Sequence, residues 1–181
     1  MFFKSRDLTL IGIFSALWTA LDVFVAPVFY AATHTPFLCD FLAAVILILT
    51  VWVVRKFGVA TLTGVITAIL HFALRGFTLE SLFFLGFIGT SILFDFSTWV
   101  MGYDRCFNRG YSSMFLIVFI FTVATGIAGG IIGYIMVVTL GLPLGFIPVW
   151  AGFHALGGGT SSVFGFGLSK GLERRGIKPL R

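Results

Sequence analysis

Charge is what this chain has least of. Only 10% of its 181 residues are Asp, Glu, Lys or Arg, against 59% that are hydrophobic. That is too little polar surface to cover a water-soluble globule of this length, so lipid is the expected solvent. Long polar stretches are also missing, which excludes a nucleotide-binding or catalytic domain outside the membrane; any energy source is expected from other chains. The apolar runs are continuous rather than alternating. Since every backbone amide in lipid must be satisfied within its own element, helices are favoured over a barrel. Cysteine is scarce: Cys39 and Cys106 fall on opposite sides of the topology derived below, beyond the Cα separation of about 4 to 7 Å that a disulfide spans. They read as thiols. GxxxxGK[ST] and HExxH are absent, a chain of apolar helices offers no strand-to-helix turn for a GxSxG elbow, and Gly157-Gly158-Gly159-Thr160 sits inside an apolar run. Nothing local therefore specifies a phosphate loop, a nucleophile elbow or a metalloprotease helix.

What is present begins with Leu8 to Ala26, uncharged until Asp22 and long enough, at about 1.5 Å per residue, to cross a bilayer core of about 30 Å. It is longer than the apolar core of a signal peptide and is expected to be retained. Small residues at Gly12, Ala16 and Ala20 give one face of this helix a shallow groove that another backbone can approach. A loop is expected over Val28 to Pro36. Further spans are expected over Phe37 to Val54, Val59 to Leu74, Leu79 to about Met101, Met114 to Leu140 and Val149 to Leu168, with a polar connection over Tyr103 to Ser113. The fold class is thus an all-α membrane protein, a single compact bundle of six transmembrane helices. Eleven of the twelve Lys and Arg residues fall on the side of the termini and only Arg75 on the other. The positive-inside rule makes both termini cytoplasmic, in a multi-pass protein of the cell membrane. The net charge of +5 is then an orientation signal, supplemented by attraction to anionic lipid, and requires no nucleic acid.

Most of the remaining polar groups fall toward the outer side: Asp22, His34, Asp40, His71, Arg75, Glu80, Tyr134, Trp150 and His154. Ionisable groups are costly at such depths, so their concentration marks a functional site. Asp22, His34, His71, Arg75, Glu80, Trp150 and His154 are the candidate substrate-binding residues; Asp40, Arg75 and Glu80 equally fit side chains reaching the outer head groups. Thr63, Thr67, His71 and Arg75 recur every fourth residue and form one polar stripe. Trp150 and His154 are one turn apart, an aromatic plane beside an imidazole, which suits a flat heterocycle. The aromatic first loop is expected to close over it. Three histidines with Asp22 or Asp40 raise a transition-metal site, but without HxxxH or HExxH spacing no metal is assigned. Asp95 lies in the inner half of its helix, apart from this group. The fifth and sixth spans carry close-packing glycines, among them Gly126, Gly130 and Gly157.

Six spans in so short a chain, both termini inside, the Ala16-Leu17-Trp18-Thr19-Ala20 motif and polar groups gathered under the first loop resemble the substrate-binding S-component of an energy-coupling factor (ECF) transporter. The resemblance covers essentially the whole chain. It implies that Ala16 and Ala20 face a transmembrane coupling subunit, that two cytoplasmic ATPase subunits supply the energy, and that a vitamin-like small molecule sits near the outer side. The turn Arg55-Lys56-Phe57-Gly58-Val59-Ala60 is similar to the YkoE-like group, linked to thiamine or its hydroxymethylpyrimidine precursor. The cobalt and nickel members begin Met-x-His, whereas this chain reads Met1-Phe2-Phe3-Lys4. Two readings from other classes stay open: a membrane enzyme using Asp22, His71, Arg75 and Glu80 on a lipid or prenyl substrate, and a structural subunit of a larger membrane complex. Neither reading requires a cofactor.

Overall fold

The computed structural model describes residues 3–33, 37–76 and 84–180. Among these the chain is all-α, with eight helices: α1 (Ser5–Phe24), α2 (Ala26–Thr33), α3 (Phe37–Val54), α4 (Val59–Arg75), α5 (Leu85–Met101), α6 (Tyr103–Phe107), α7 (Tyr111–Leu140) and α8 (Phe146–Arg174). Three helical stretches are long and apolar enough to cross a membrane: Ser5–Thr33, Phe37–Val54 and Tyr111–Leu140. The helices Val59–Arg75 and Leu85–Met101 are apolar but shorter. At 29 residues α8 is long enough, but its glycines, serines and basic end dilute its hydropathy. The chain thus has the character of a multi-pass membrane protein.

Two local expectations are corrected. The segment after Pro27 is no loop: α2 runs through Thr33, because proline is tolerated in the first turn of a helix, where its missing N–H costs nothing within that helix. The polar connection after Met101 contains the short helix α6. Val59–Arg75 extends its span by one residue, and α8 extends its span at both ends.

An apolar core that includes Trp18, Leu47, Trp52, Phe94 and Phe121 also encloses many polar side chains, while the outside is largely apolar, unlike the surface of a soluble bundle. Ser15, Thr63, Thr67, Ser91, Asp95, Thr98 and Ser161 are buried, while Ile13, Leu17, Phe115, Phe119, Leu156 and Phe164 are exposed. Small residues allow this packing. The most extensive packing is that of α7 on α8, followed by that of α3 on α8. A Cβ at Gly126 would stand 3.2 Å from Ala155 Cβ, and one at Gly165 would stand 3.2 Å from the Ala44 carbonyl oxygen. Close approach of this kind is how helices cohere in lipid, where burying apolar surface gives no net drive.

The bundle has two chemically distinct ends. At one, Lys56 Nζ lies 2.5 Å from the buried Asp7 Oδ2, Arg55 pairs with Asp104 at 3.2 Å, and the C-terminal tail docks through Leu180 N–H to the Val53 carbonyl at 2.7 Å. Asp95 belongs near this end and has a structural task. The start of α4 has no side-chain cap of its own, Gly58 sitting there at φ 92°. Asp95 Oδ2, reaching from α5, accepts from Thr61 N–H at 3.2 Å and from Thr61 Oγ1 at 2.9 Å. It supplies from a neighbouring helix the acceptor that helix starts otherwise obtain from their own N-cap residue. Beside it, burial raises the Tyr103 hydroxyl above its usual range and pushes the Cys106 thiol up to about 11. The other end holds a cavity.

Candidate functional site

Four helix ends build the site. Proline begins it: Pro27 has no N–H, so the Val23 carbonyl four residues back loses its helical partner. Arg75, at the end of α4, reaches across and donates Nη2 to the Asp22 carbonyl at 3.1 Å and to the Val23 carbonyl at 3.3 Å. A cation is favoured at a helix C-terminus, where carbonyls converge. Its guanidinium also lies 5.8 Å from the Phe84 ring centre. This contact fixes where α1 gives way to α2 and therefore where Asp22 points.

Asp22 is buried and its Oδ2 stands 2.7 Å from His71 Nε2. His71 is fully buried, and its Nδ1 stands 2.8 Å from the Thr67 carbonyl oxygen. A carbonyl only accepts, so Nδ1 carries a hydrogen. The pair then holds one further proton, either on Nε2 against a carboxylate or on Oδ2 against a neutral imidazole. Both arrangements are electrically neutral, which is what burial demands.

A second couple faces the first from α3 and α8. His154 Nδ1 lies 2.7 Å from Asp40 Oδ1, with Asp40 buried and His154 half-buried. Glycines make room for both partners. A Cβ at Gly129 would lie 2.7 Å from His154 Cβ, and one at Gly157 would lie 2.5 Å from Asp40 Oδ2. The Trp150 ring meets His154 edge-on at 5.2 Å and stacks on Phe146 at 5.3 Å.

Between the couples lies a cavity of about 630 Å³, within the usual range for a small-molecule site. Asp22, Asp40, Arg75, Trp150 and His154 contribute its polar lining, and Tyr30, Phe84, Phe87, Ile132 and Met136 much of its apolar wall. Three lining residues each keep a buried polar atom without a hydrogen-bond partner: Asp22 Oδ1, Asp40 Oδ2 and Trp150 Nε1. Buried polar groups are normally satisfied, so these three atoms carry an uncompensated cost in the wall of the cavity.

Of the seven expected binding residues, Asp22, Arg75, Trp150 and His154 line the cavity. His71 stands behind Asp22 as its partner, and His34 and Glu80 lie outside the described residues. The stripe on α4 is turned inward rather than toward the cavity: Thr63 and Thr67 are buried, and Ser15 Oγ donates to the Thr63 carbonyl at 3.2 Å. Tyr134 is exposed on the outer surface. Asp40 is here a central member of the site, partnered by a histidine 114 positions away, a pairing that no local spacing signals. Cys39 and Tyr30 also join the lining. Among the described residues no three His, Cys, Asp or Glu side chains gather in a metal-holding group. On α1, Ser15, Trp18 and Thr19 are buried, whereas Gly12 is half-buried and Ala16 and Ala20 are exposed. The small-residue face therefore points away from the rest of the bundle. Compared with protein-family descriptions, curated proteins and solved structures, the chain matches none.

Proposed function

We propose that the chain is the substrate-binding membrane subunit of an ECF-type ABC importer. It captures a vitamin or related micronutrient in the cavity and delivers it by association with a transmembrane coupling subunit and two cytoplasmic ATPase subunits. In this reading six helices cross the cell membrane, α8 included, and both termini are cytoplasmic. The observation that carries it is the placement of the cavity, with its two Asp–His couples, at the end of the bundle opposite the clustered Lys and Arg residues. The positive-inside rule then opens the pocket toward the outside, where an importer meets its cargo.

The face of Gly12, Ala16 and Ala20, half-buried at the glycine and exposed at the two alanines, supports the second half of the reading. Nothing lies within 4 Å of where a Gly12 side chain would begin, so a partner helix can approach the α1 backbone. The subunit needs no catalytic residue of its own. Its cycle needs a gate, and α2 suits that role, since it contributes Ala26, Pro27 and Tyr30 to the cavity wall and joins α1 where Pro27 breaks the hydrogen-bond ladder. Thiamine and its pyrimidine precursor are the first ligands to examine.

Native mass spectrometry of gently extracted protein, alone and co-expressed with a coupling subunit and its ATPases, tests the proposal. A co-purified small molecule and a complex lost on Ala16→Leu, with the small molecule retained, are expected. A chain that carries no small molecule and never joins a coupling subunit would sink it.

A further inference from the structure

We infer that the cavity takes a singly charged organic anion, a monocarboxylate with an apolar body, anchored by Arg75. This rests on reading the cavity as the cargo pocket and adds the charge of the cargo, setting an acidic molecule ahead of the cationic thiamine.

Arg75 is the one cation among the described residues that line the cavity. It is exposed at the end of α4 and so stands at the rim. Only one of its nitrogens is in use. Nη2 donates to the carbonyls of Asp22 and Val23, while Nε and Nη1 have no hydrogen-bond partner among the described residues. The two carbonyls and the Phe84 ring, 5.8 Å from the guanidinium, fix its place, so an arriving anion need not order the side chain itself. The free N–H groups then offer charge-assisted hydrogen bonds to a carboxylate oxygen.

The two acids of the lining do not oppose this. Asp22 and His71 form a couple that is neutral wherever its proton sits, and the leftover oxygens, Asp22 Oδ1 and Asp40 Oδ2, are sealed within the wall rather than open to the cavity. In the second couple a hydrogen lies between Asp40 Oδ1 and His154 Nδ1, 2.7 Å apart, and Nε2 is the remaining nitrogen. With a hydrogen on Nε2 this couple is neutral too, and Arg75 leaves the lining with one positive charge. Without it the couple is an anion, and an acid that enters protonated leaves its hydrogen on Nε2. Both routes end in the same complex: a carboxylate, a guanidinium and two neutral couples, with no net charge. Tyr30 and Cys39 add an uncharged hydroxyl and thiol to the wall. A cation in this place would add a like charge beside Arg75, and a neutral ligand would displace water from the guanidinium without pairing it. Behind the rim, Phe84, Phe87, Ile132 and Met136 give the apolar wall that a hydrocarbon body needs.

A phospholipid head group carries the same anionic chemistry, and the test separates the two sources. It uses the full chain in an uncharged detergent with three probes of one shape: naphthoate, naphthamide and naphthylmethylamine. Calorimetry is expected to rank them in that order, naphthoate binding about tenfold tighter than the amide. Arg75→Gln is expected to close that gap, and Arg75→Lys, which keeps the charge, to retain part of it. Added phosphatidylglycerol is expected to leave naphthoate bound, as phosphatidylcholine does. Equal affinity for acid and amide, preference for the amine, binding of no probe, or an unchanged gap in a folded Arg75→Gln variant overturns the inference. Displacement of naphthoate by phosphatidylglycerol alone overturns it as well, by making Arg75 a head-group site. If the variants fail to fold, the three probes on the unmodified chain decide. Preference for naphthoate in a chain that never joins a coupling subunit leaves the anion site standing and removes the transporter reading. Assembly with a coupling subunit combined with preference for the amine does the reverse.

Discussion

His71 Nε2 and Asp22 Oδ2 lie 2.7 Å apart, joining α4 to α1 across 49 positions of sequence inside the bundle. The imidazole is held from its other side by the Thr67 carbonyl, whereas Asp22 without His71 is left beside the Cys39 thiol, a weak donor. His71→Ala leaves a buried carboxyl group uncompensated and is expected to cost about 3 kcal/mol, read as a lowered midpoint of thermal unfolding in detergent. Replacing both, as Asp22→Leu with His71→Leu, is expected to recover most of that stability, since a buried pair exchanged for apolar groups is often neutral. Ligand affinity is expected to stay lowered in the double variant, because Asp22 lines the cavity and a leucine there changes the shape of its wall.

Arg75 and Pro27 form a coupled pair although they do not exchange a hydrogen bond. Proline leaves the Val23 carbonyl without a helical donor, and arginine supplies one. Pro27→Ala restores the N–H, so Arg75→Ala is expected to cost less in that background than alone. The interaction measured in a double-mutant cycle is expected at about 1 kcal/mol, the low side for a charge-assisted bond because the guanidinium is solvent-exposed. Additive effects would mean that Arg75 does not stand in for the missing donor.

The helices were legible in the sequence because lipid makes hydropathy a direct report of element length. Phe37–Val54 was expected at the bounds it has, and Val59–Arg75 differs by one residue. What failed was local punctuation. Pro27 suggests a loop, yet proline in a first helical turn lets α2 continue from α1 with only a bend. The site was partly legible, since intramembrane polar residues are few and tend to gather. Asp22, Arg75, Trp150 and His154 could be named on that ground alone. Their pairing could not: Asp40 reads equally well as a head-group residue until α8 is seen to bring His154 to it, and that approach depends on Gly129 and Gly157. Long-range couples of this kind leave no periodic trace in a single chain. The role of Asp95 was hidden for the same reason, its acceptor serving a helix start 34 residues away.

Loss of Asp95 should separate stability from binding. Asp95→Ala removes the acceptor at the start of α4 and is expected to cost about 1 to 2 kcal/mol, as loss of an N-cap does. The cavity at the far end of the same helix is expected to keep its ligand affinity within about twofold, since well-separated sites act independently. A drop in affinity as large as that from Arg75→Gln would show that the two ends of the bundle are energetically linked.

Cys106 gives a pH readout of the basic end. Burial pushes its thiol from an ordinary 9.0 up to about 11, so the folded state holds its proton where the unfolded chain releases it. Between those values the unfolded state binds fewer protons than the folded one, and stability falls as pH rises through that window. Below pH 9 this contribution is fully present. Thiolate is the reactive form, so maleimide labelling of Cys106 at neutral pH is expected only after denaturation, measured by mass spectrometry with Cys39→Ala as the background.

Glycine substitutions test how the two couples are seated. Gly129→Ala and Gly157→Ala place a methyl group 2.7 Å from His154 Cβ and 2.5 Å from Asp40 Oδ2, whereas Gly167 and Gly152 face open space. Crowding of this kind forces neighbouring side chains or backbone to shift, at a typical cost of about 1 to 3 kcal/mol. The first two variants are therefore expected to lower the thermal midpoint and to weaken ligand binding. Gly167→Ala and Gly152→Ala are expected to leave both unchanged or slightly raise stability, because alanine favours the helix by about 1 kcal/mol over glycine. Equal effects at all four positions would mean that the small residues of α7 and α8 serve helix flexibility rather than the seating of His154 and Asp40.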